Sequence, residues 1–298
     1  MSKIENSIGW CDATTNAVTG CAKVSLGCVH CYAEVGMRAR VLRAGGDRAY
    51  PKGVETWGPG GVRVPVNFEP VFERLNKLMV CDRCHTAHSM DADLSLPCAE
   101  CGGKHRRIRL FADSNSDWLD PAWPAETLAR FLNAIRLAPN VDVLLLTKRI
   151  KNFHERLSAS LHAEGKLGSH SQWLANWLAG APPKNVWLGV SVEDQERAYE
   201  RLPLLALLPA EVRFVSAEPL LERLELFSKL VGPRFDWVIV GGESGPKRRY
   251  CTEAALLSVV EQCVLAWVPV YVKQDCARLP GQQGRIPNEI WAKKEFPR

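Results

Sequence analysis

Three cysteines near the amino terminus have the spacing of a metal-binding loop. Cys21, Cys28 and Cys31 form the pattern Cys-x6-Cys-x2-Cys. A tetrahedral zinc site takes four ligands, and an iron–sulfur cubane is usually held by four cysteines. A cubane held by only three cysteines keeps one iron open to another ligand. We therefore interpret this loop as a candidate cluster site whose open iron lies next to a second bound molecule.

Four further cysteines predict a different metal site. Cys81-x2-Cys84 and Cys98-x2-Cys101 are two knuckles separated by thirteen residues, a zinc-ribbon signature in which four thiolates converge on one ion. Zn²⁺ is the expected ion for four thiolates, and such sites are mostly structural. We expect residues 78–106 to form a small zinc-ribbon insertion. Because four cysteines already complete the site, three neighbouring histidines are expected at the surface: His85, His88 and His105.

The composition is typical of a chain with one large core in a reducing compartment. The 298 residues are 46% hydrophobic and carry a net charge of +5, which permits a polyanionic partner without requiring one. Basic residues cluster at 104–109 and 247–249. No apolar run approaches bilayer length, and the first residues lack a signal-peptide core. We therefore expect a cytoplasmic protein with no membrane partner, whose eleven cysteines are metal ligands or free thiols.

Strand-like and helix-like segments alternate along the rest of the chain. The expected strands are continuously apolar, which is typical of a parallel sheet buried on both faces: 107–112, 141–146, 186–190, 212–215, 237–240 and 268–272. Amphipathic helical segments lie between them, such as 124–137, 195–208 and 252–266. A further strand near residues 8–11 brings the count to about seven. The predicted fold class is α/β, a full or partial TIM-type parallel (β/α) barrel over residues 1–298 that carries the ribbon insertion.

Polar side chains follow each expected strand. In a parallel barrel the carboxyl ends of the strands meet at one edge, where active sites are built. A purely structural barrel has no need of a polar group at every strand end. The expected row is Asp113, Ser114, Asn115, Asp117, Lys148, Arg149, Glu193, Glu218, Glu243, Ser244, Lys273 and Gln274.

Seven short motifs follow one another in an order that points to a family. They lie at 9–14, 18–21, 27–34, 146–149, 187–193, 216–221 and 240–246. Together they resemble the phage-associated three-Cys-motif proteins, a family of unknown function that looks like a branch of the radical SAM enzymes. The first gap of the cysteine motif is six residues, whereas the best-known radical SAM spacing is Cys-x3-Cys-x2-Cys. The family usually has Thr-Trp-Asn-Pro where this chain has Thr14-Thr15-Asn16-Ala17, and Lys-Gln-Trp-Gly where Lys273-Gln274 is followed by Asp275-Cys276.

The resemblance implies a [4Fe-4S] cluster on the three amino-terminal cysteines, with S-adenosyl-L-methionine bound to the fourth iron. Reductive cleavage of that cofactor would yield a 5′-deoxyadenosyl radical, and the protein would supply orientation and shelter. By the strand order of such barrels, Ser114, Asn115 and Asp117 are the candidates for the methionine amino group. The glycines before Glu243 would permit close backbone approach to a ligand.

Other polar residues receive roles from their chemistry. Lys148 and Arg149 suit a carboxylate or a phosphate, and Glu193 and Glu218 suit ribose hydroxyls or a substrate. A thiol is a good hydrogen-atom donor, which makes two cysteines after late strands catalytic candidates: Cys276 and Cys251. Trp118 and Trp123 are candidates for stacking on a base.

The leading hypothesis is a radical SAM enzyme for DNA repair or modification, or for chemistry on another nucleic acid or a nucleotide. Its partners would be the nucleic acid and an electron donor such as flavodoxin or ferredoxin. One alternative is radical SAM chemistry on a small metabolite or a peptide. Another is a non-catalytic nucleic-acid-binding protein stabilised by metals, which would not need a polar barrel edge.

Overall fold

The computed structural model describes residues 8–34, 55–163, 168–227 and 235–297. In chain order the strands of these residues are β1 (Ala13–Thr15), β2 (Val18–Thr19), β3 (Val64–Pro65), β4 (Leu78–Cys81), β5 (Ala87–Ser89), β6 (His105–Arg106), β7 (Ile108–Ala112), β8 (Val141–Thr147), β9 (Val186–Ser191), β10 (Val212–Ala217), β11 (Trp237–Gly241) and β12 (Val270–Gln274). The helices are α1 (Glu69–Leu75), α2 (Ala125–Arg136), α3 (Phe153–Ala163), α4 (Gly168–Leu178), α5 (Gln195–Leu207), α6 (Glu253–Leu265) and α7 (Asn288–Trp291).

The main sheet has seven parallel strands in the order β1-β7-β8-β9-β10-β11-β12. It is curled into a half-barrel, so the expected α/β class and the partial form of the barrel are confirmed. All parallel carboxyl ends therefore meet at one edge of the sheet.

Both faces of the sheet are buried, which explains the continuously apolar strands. One core cluster joins the sheet to helices α2–α6. A second, mostly aromatic cluster fills the concave side around Trp10, Phe214 and Trp237. Gly189 of β9 is required there because a Cβ at this position would lie 2.4 Å from the Phe214 ring.

The predicted first strand is displaced along the chain. We expected it near residues 8–11, but β1 begins at Ala13. Trp10 and Cys11 instead pack into the concave aromatic cluster. The Asp12 carboxylate accepts hydrogen bonds from the Arg106 guanidinium at 2.6 Å and from the Arg109 amide at 2.8 Å, which fixes the entry of the chain into the sheet.

The three expected helices are present with slightly shorter bounds. The side chain of Asp194 caps α5 by accepting from the Arg197 amide at 2.8 Å, and Thr252 caps α6 by accepting from the Ala255 amide at 3.2 Å. Such caps satisfy amide groups that have no partner inside the helix.

Strands β4, β5 and β6 form a separate three-stranded antiparallel sheet in the order β5-β4-β6. It contains the two cysteine knuckles. The carboxyl-terminal segment covers the opposite end of the barrel from the strand ends, where Phe296 packs 5.3 Å from Trp237 and 5.4 Å from Tyr271 between ring centroids. Within the described ranges, no helix has the length and apolarity to cross a membrane.

Candidate functional site

A cavity of about 370 Å³ lies at the carboxyl edge of the half-barrel. Cys21, Cys28 and Cys31 line one side of it. Most of the expected strand-end residues line the other side: Asp113, Ser114, Asn115, Asp117, Lys148, Arg149, Glu218, Glu243, Ser244, Lys273 and Gln274. The cysteine loop and the polar edge therefore form one site.

Arg149 fixes one end of the cysteine loop. Its Nη2 donates to the Ala22 carbonyl at 2.9 Å, and its Nη1 lies 3.6 Å from Cys21 Sγ. Gly20 precedes the loop with a φ of +115°, and a Cβ there would lie 2.3 Å from the Thr56 carbonyl oxygen. Only glycine fits such a position without rearrangement.

The three thiols of the loop are not as compact a group as the four knuckle thiols. Within the described ranges, the four knuckle cysteines are the one group of three or more potential ligands whose donor atoms all lie within 4.8 Å of one another. Cys21, Cys28 and Cys31 share a cavity but are not such a group. A multinuclear cluster distributes its thiolates over separate iron ions.

Burial disfavours the charged form of two of these thiols, Cys21 and Cys31. It raises the pKa of Cys21 to about 12, although the Arg149 guanidinium opposes the shift. Burial also raises the pKa of Cys31, and Lys148 is among the groups that oppose this. A metal ligand must be a thiolate, so binding of a metal releases protons here.

Glu243 connects β11 to the cysteine loop. Its Oε2 lies 3.0 Å from His30 Nδ1, and its Oε1 accepts from Arg249 Nη2 at 2.7 Å. Arg249 Nη1 in turn donates to the Leu26 carbonyl at 2.9 Å. These hydrogen bonds, led by the one to the Arg249 side chain, outweigh burial and lower the pKa of Glu243 to about 2. Glu243 is therefore an ionised positioning residue.

Asp117 has its oxygens fully engaged by neighbouring strand ends. It accepts from Thr147 Oγ1 at 2.6 Å, from the Lys148 amide at 2.9 Å and from Arg149 Nη1 at 3.3 Å. This carboxylate orients β8 and the arginine beside Cys21. Its expected role at the methionine amino group would require one of these partners to be exchanged.

Ser114 and Asn115 are organised by a residue that the sequence analysis did not assign. Asn16 Oδ1 accepts from Ser114 Oγ at 3.1 Å and from the Asn115 amide at 2.8 Å. The Ser114 carbonyl accepts from Tyr32 Oη at 2.8 Å, which joins this loop to the cysteine loop. A side-chain acceptor close in sequence to a cysteine motif is too weak a signal to have singled out Asn16.

Asp113 is a buried carboxyl group in the cavity wall. It is 3% exposed, its φ is +100°, and its oxygens lie near the amides of Ala17 and Val18 without a hydrogen bond of normal geometry. Burial raises the pKa of Asp113 well above its usual value, and the nearby amides of Ala17 and Val18 offset only part of this. Burial therefore favours the neutral carboxylic acid, a form that can donate a hydrogen bond to a ligand.

Two tryptophans in the cavity wall have unsatisfied indole N–H groups. Trp10 Nε1 and Trp57 Nε1 are buried without a hydrogen-bond partner. Trp57 packs with Cys21 and Cys31. The tryptophans that we expected to stack on a base, Trp118 and Trp123, are 0% and 1% exposed and belong to the core, so that expectation was wrong.

Two glutamates at strand ends differ in whether they reach the cavity. Glu218 faces the cavity and pairs with Lys273 at 2.9 Å. Glu193 is 0% exposed, lies beneath Gly27 and pairs with Arg201 at 3.1 Å. It does not line the cavity, so contact with ribose or substrate would require Gly27 and its loop to move.

The two cysteines expected as hydrogen-atom donors lie behind the cavity wall. Cys276 opens on a separate cleft, and Cys251 is 2% exposed. Gly242 lines the cavity and separates it from Cys276. Neither thiol lines the cavity of the three-cysteine loop.

The knuckle cysteines form the second candidate metal site. Cys81 and Cys101 Sγ are 3.4 Å apart, and Cys84 and Cys98 Sγ are 3.7 Å apart. Four thiols at these distances can bind one metal ion. Gly103 allows the chain to turn around them, since a Cβ there would lie 2.6 Å from Cys81 Sγ.

Three histidines near the knuckles were expected at the surface, and this expectation was wrong for His88. His88 is buried, with 8% exposure, and its Nε2 lies 3.5 Å from Cys98 Sγ. It also contacts the His105 ring edge-on. It is a neighbour of the thiols rather than a surface residue, because β5 pairs directly with β4 and turns His88 inward.

The fold and the cavity define a class: an α/β protein with a curled parallel half-barrel whose carboxyl edge carries a cysteine loop. Comparison with protein families identifies the family of this chain. The chain belongs to the family described as "Protein of unknown function (DUF5131)", which matches residues 5–286. No curated protein and no solved structure matches it. Membership of an uncharacterised family was expected, and the relation to radical SAM enzymes stays a prediction.

Proposed function

We propose that the protein is a radical SAM enzyme with a [4Fe-4S] cluster on Cys21, Cys28 and Cys31. One observation carries the proposal: the three thiols line a single cavity with the polar strand ends of a parallel half-barrel. Their sulfurs do not all lie within 4.8 Å of one another. Three cysteine ligands leave one iron of a cubane available to a cofactor.

The residues present fit the implied groups. The cavity volume of about 370 Å³ lies in the range of small-molecule sites. Asp113 and the Ser114–Asn115 loop offer hydrogen bonds to S-adenosyl-L-methionine, and Lys148 offers a cation to its carboxylate. When bound, the reduced cluster would supply the electron that cleaves this cofactor to methionine and a 5′-deoxyadenosyl radical.

The chain's own residues would bind and orient the cofactor, and they would exclude water from the cavity. Asp117, Arg149 and Glu243 hold the strand ends and the cysteine loop in one arrangement. Trp10 and Phe111 form an apolar part of the cavity wall, which shields a reactive species from solvent.

The test is anaerobic reconstitution with iron and sulfide, followed by EPR of the reduced protein with and without S-adenosyl-L-methionine. We expect a reduced-cubane signal that changes when the cofactor is added and disappears in Cys28→Ala. Cys263→Ala is the matched control, because this thiol is buried in the core at 0% exposure. Iron-free protein under these conditions, or a signal retained in Cys28→Ala, would refute the proposal.

The substrate class that we favour is a nucleic acid or a nucleotide, with flavodoxin or ferredoxin as the class of electron donor, in the cytoplasm. The net charge of +5 supports it. Binding of an oligonucleotide should weaken steeply as salt rises, because released counterions drive such binding. Salt-independent or undetectable binding would favour the small-metabolite or peptide alternative.

We also propose Zn²⁺ as the metal of the knuckle site, because four thiolates suit zinc. Elemental analysis of Cys84→Ser should show loss of zinc with iron retained, and that of Cys28→Ala should show the reverse. Zinc that persists in Cys84→Ser would contradict this assignment.

A further inference from the structure

Two cysteines outside the cavity are in contact with each other. The Cys251 amide donates to Cys276 Sγ at 2.7 Å. Gly242 borders both residues, since a Cβ there would lie 2.5 Å from Cys276 Sγ and 3.1 Å from Cys251 Cβ. The glycine therefore makes room for the two side chains side by side. They come from segments 25 positions apart, so their contact is a product of the fold.

Only one of the two thiols reaches solvent. Cys276 is partly exposed and lines a surface cleft of about 430 Å³, whereas Cys251 is buried. Such an arrangement suits a two-thiol reaction, in which an accessible sulfur is attacked from outside and a shielded sulfur completes the exchange.

The cleft is cationic. Its other lining residues are Arg248, Tyr250 and Arg285. The Arg285 guanidinium lies over the Tyr250 ring at 4.5 Å. Arg248 is held by the carbonyls of Gly245 and Cys276 at 3.0 and 3.1 Å. The Asp275 carboxylate lies next to the cleft and accepts from the Arg285 backbone amide at 2.7 Å. The hydrogen bonds of the Arg248 guanidinium in the described residues go to backbone carbonyls, and the Arg285 guanidinium lies on the Tyr250 ring, so both positive charges face the cleft.

We propose that Cys276 and Cys251 are a redox-active dithiol that reacts with anionic disulfides, with Cys276 as the attacking thiol and Cys251 as the resolving thiol. The cleft selects a carboxylate-bearing disulfide through Arg248 and Arg285. The pair lies outside the three-cysteine cavity, so this proposal stands apart from the group proposed there.

The environments of the two thiols fit these roles. Hydrogen bonds from the Cys251 thiol and from the Cys251 amide lower the pKa of Cys276 to about 7. Burial and the neighbouring Asp275 carboxylate oppose this shift. The Cys276 sulfur, followed by burial, raises the pKa of Cys251. A thiolate near neutrality is the stronger nucleophile at physiological pH.

The reaction balances without a further reagent. The Cys276 thiolate attacks one sulfur of the disulfide, forming a mixed disulfide and releasing one thiolate. Cys251 then loses its proton to solvent and attacks the Cys276 sulfur, forming the Cys251–Cys276 bond and releasing the second thiolate. The protein loses two electrons and two protons, and the external disulfide is reduced to two thiols.

The experiment is oxidation of the native protein with glutathione disulfide, followed by trapping of free thiols, trypsin digestion and mass spectrometry. Trypsin separates the peptide 250–273, which contains Cys251 and Cys263, from 274–278, which contains Cys276. We expect these peptides to be joined. The link should persist in Cys263→Ala and be absent in Cys276→Ser. In Cys251→Ser, Cys276 should retain glutathione as a mixed disulfide.

The preference of the cleft for anionic disulfides is tested by replacing Arg248 and Arg285. Both side chains are exposed, so their replacement leaves the core intact. In an Arg248→Gln/Arg285→Gln variant, oxidation by glutathione disulfide at low salt should slow by about tenfold. Oxidation by the neutral 2-hydroxyethyl disulfide should be unchanged. The dithiol proposal is overturned if Cys276 does not react in the native wild type, or if the wild type stops at the mixed disulfide. Equal slowing with both disulfides would overturn the anion selectivity.

Discussion

At the end of β7, Asp113 combines a buried carboxyl group with a backbone conformation that few non-glycine residues adopt. Both features cost stability, and both occur in the wall of the cavity. Strain and unsatisfied polar groups tend to persist where a ligand uses them. We interpret Asp113 as a residue kept for binding at the expense of stability.

Asp113→Asn should therefore stabilise the protein at neutral pH by about 1–3 kcal/mol and weaken binding of S-adenosyl-L-methionine. The folded-state pKa of Asp113 is raised, so the wild type loses stability relative to the variant as the pH rises above the usual value of 3.8. Urea unfolding at pH 3.5 and pH 7 measures this difference. A variant that is less stable at pH 7 would show that the carboxyl group has a structural partner.

Glu243 presents the opposite case, a carboxylate whose ionised form is stabilised by Arg249 and His30. Glu243→Gln should reduce stability at pH 7 by about 1–3 kcal/mol, because charge-assisted hydrogen bonds are lost. Its folded pKa is lowered, so the wild-type advantage is complete above about pH 4.5 and is lost as the pH falls towards about 2.

Denaturant unfolding at pH 7 and pH 4, with limited proteolysis of the cysteine loop, checks this prediction. Glu261→Gln is the control, since this glutamate lies on the exposed side of α6. Equal effects of the two variants would mean that Glu243 does not hold the loop.

The residues of the site were only partly predictable from the sequence. Strand-end side chains could be identified because parallel strands bring their carboxyl ends to one edge. Their partners could not, since Asn16 and Ser114 are 98 positions apart and His30 and Glu243 are 213 apart. No local pattern encodes such pairs, so the division into ligand-facing and positioning residues required the fold.

At the level of elements, the strands were predicted because burial on both faces leaves a continuous apolar run. The strand boundaries differ from the predicted ones where a local backbone feature ends or delays the strand. For example, β12 begins at Val270, two residues after the expected start, because Trp267 turns the chain with a φ of +57° and Pro269 has no amide hydrogen. The small antiparallel sheet was indicated only by its cysteines, since its strands are two to four residues long.

The curled sheet also depends on one close approach between neighbouring strands. Gly189→Ala would place a methyl group 2.4 Å from the Phe214 ring, and overpacking of this kind costs about 1–3 kcal/mol. We expect urea unfolding to show that loss, with weaker near-ultraviolet circular dichroism from the aromatic cluster. Gly60→Ala is the matched control, because a Cβ there meets nothing within 4 Å. If Gly189→Ala leaves the free energy of unfolding unchanged, β9 and β10 can separate without loss of stability.

On the scale of the whole molecule, the half-barrel has two ends with different chemistry. The carboxyl edge carries the cysteine loop, Asp113 and Glu243. The opposite end contains the aromatic cluster and is covered by Phe296, with the Arg109 guanidinium 3.8 Å from its ring centroid. Barrel proteins commonly separate function and stability in this way, so changes at the two ends should have separable effects.

Phe296→Ala tests this separation. Loss of its contacts with Trp237 and Tyr271 should lower the free energy of unfolding by about 1–3 kcal/mol, less than for a fully buried phenylalanine. Iron incorporation at the three-cysteine loop should be unchanged at temperatures where the variant is folded. Leu265→Ala, at a site 81% exposed, should alter neither property. If Phe296→Ala lost iron while still folded, the two ends would be coupled through the aromatic cluster, because Trp10 reaches from Trp237 to the cavity wall.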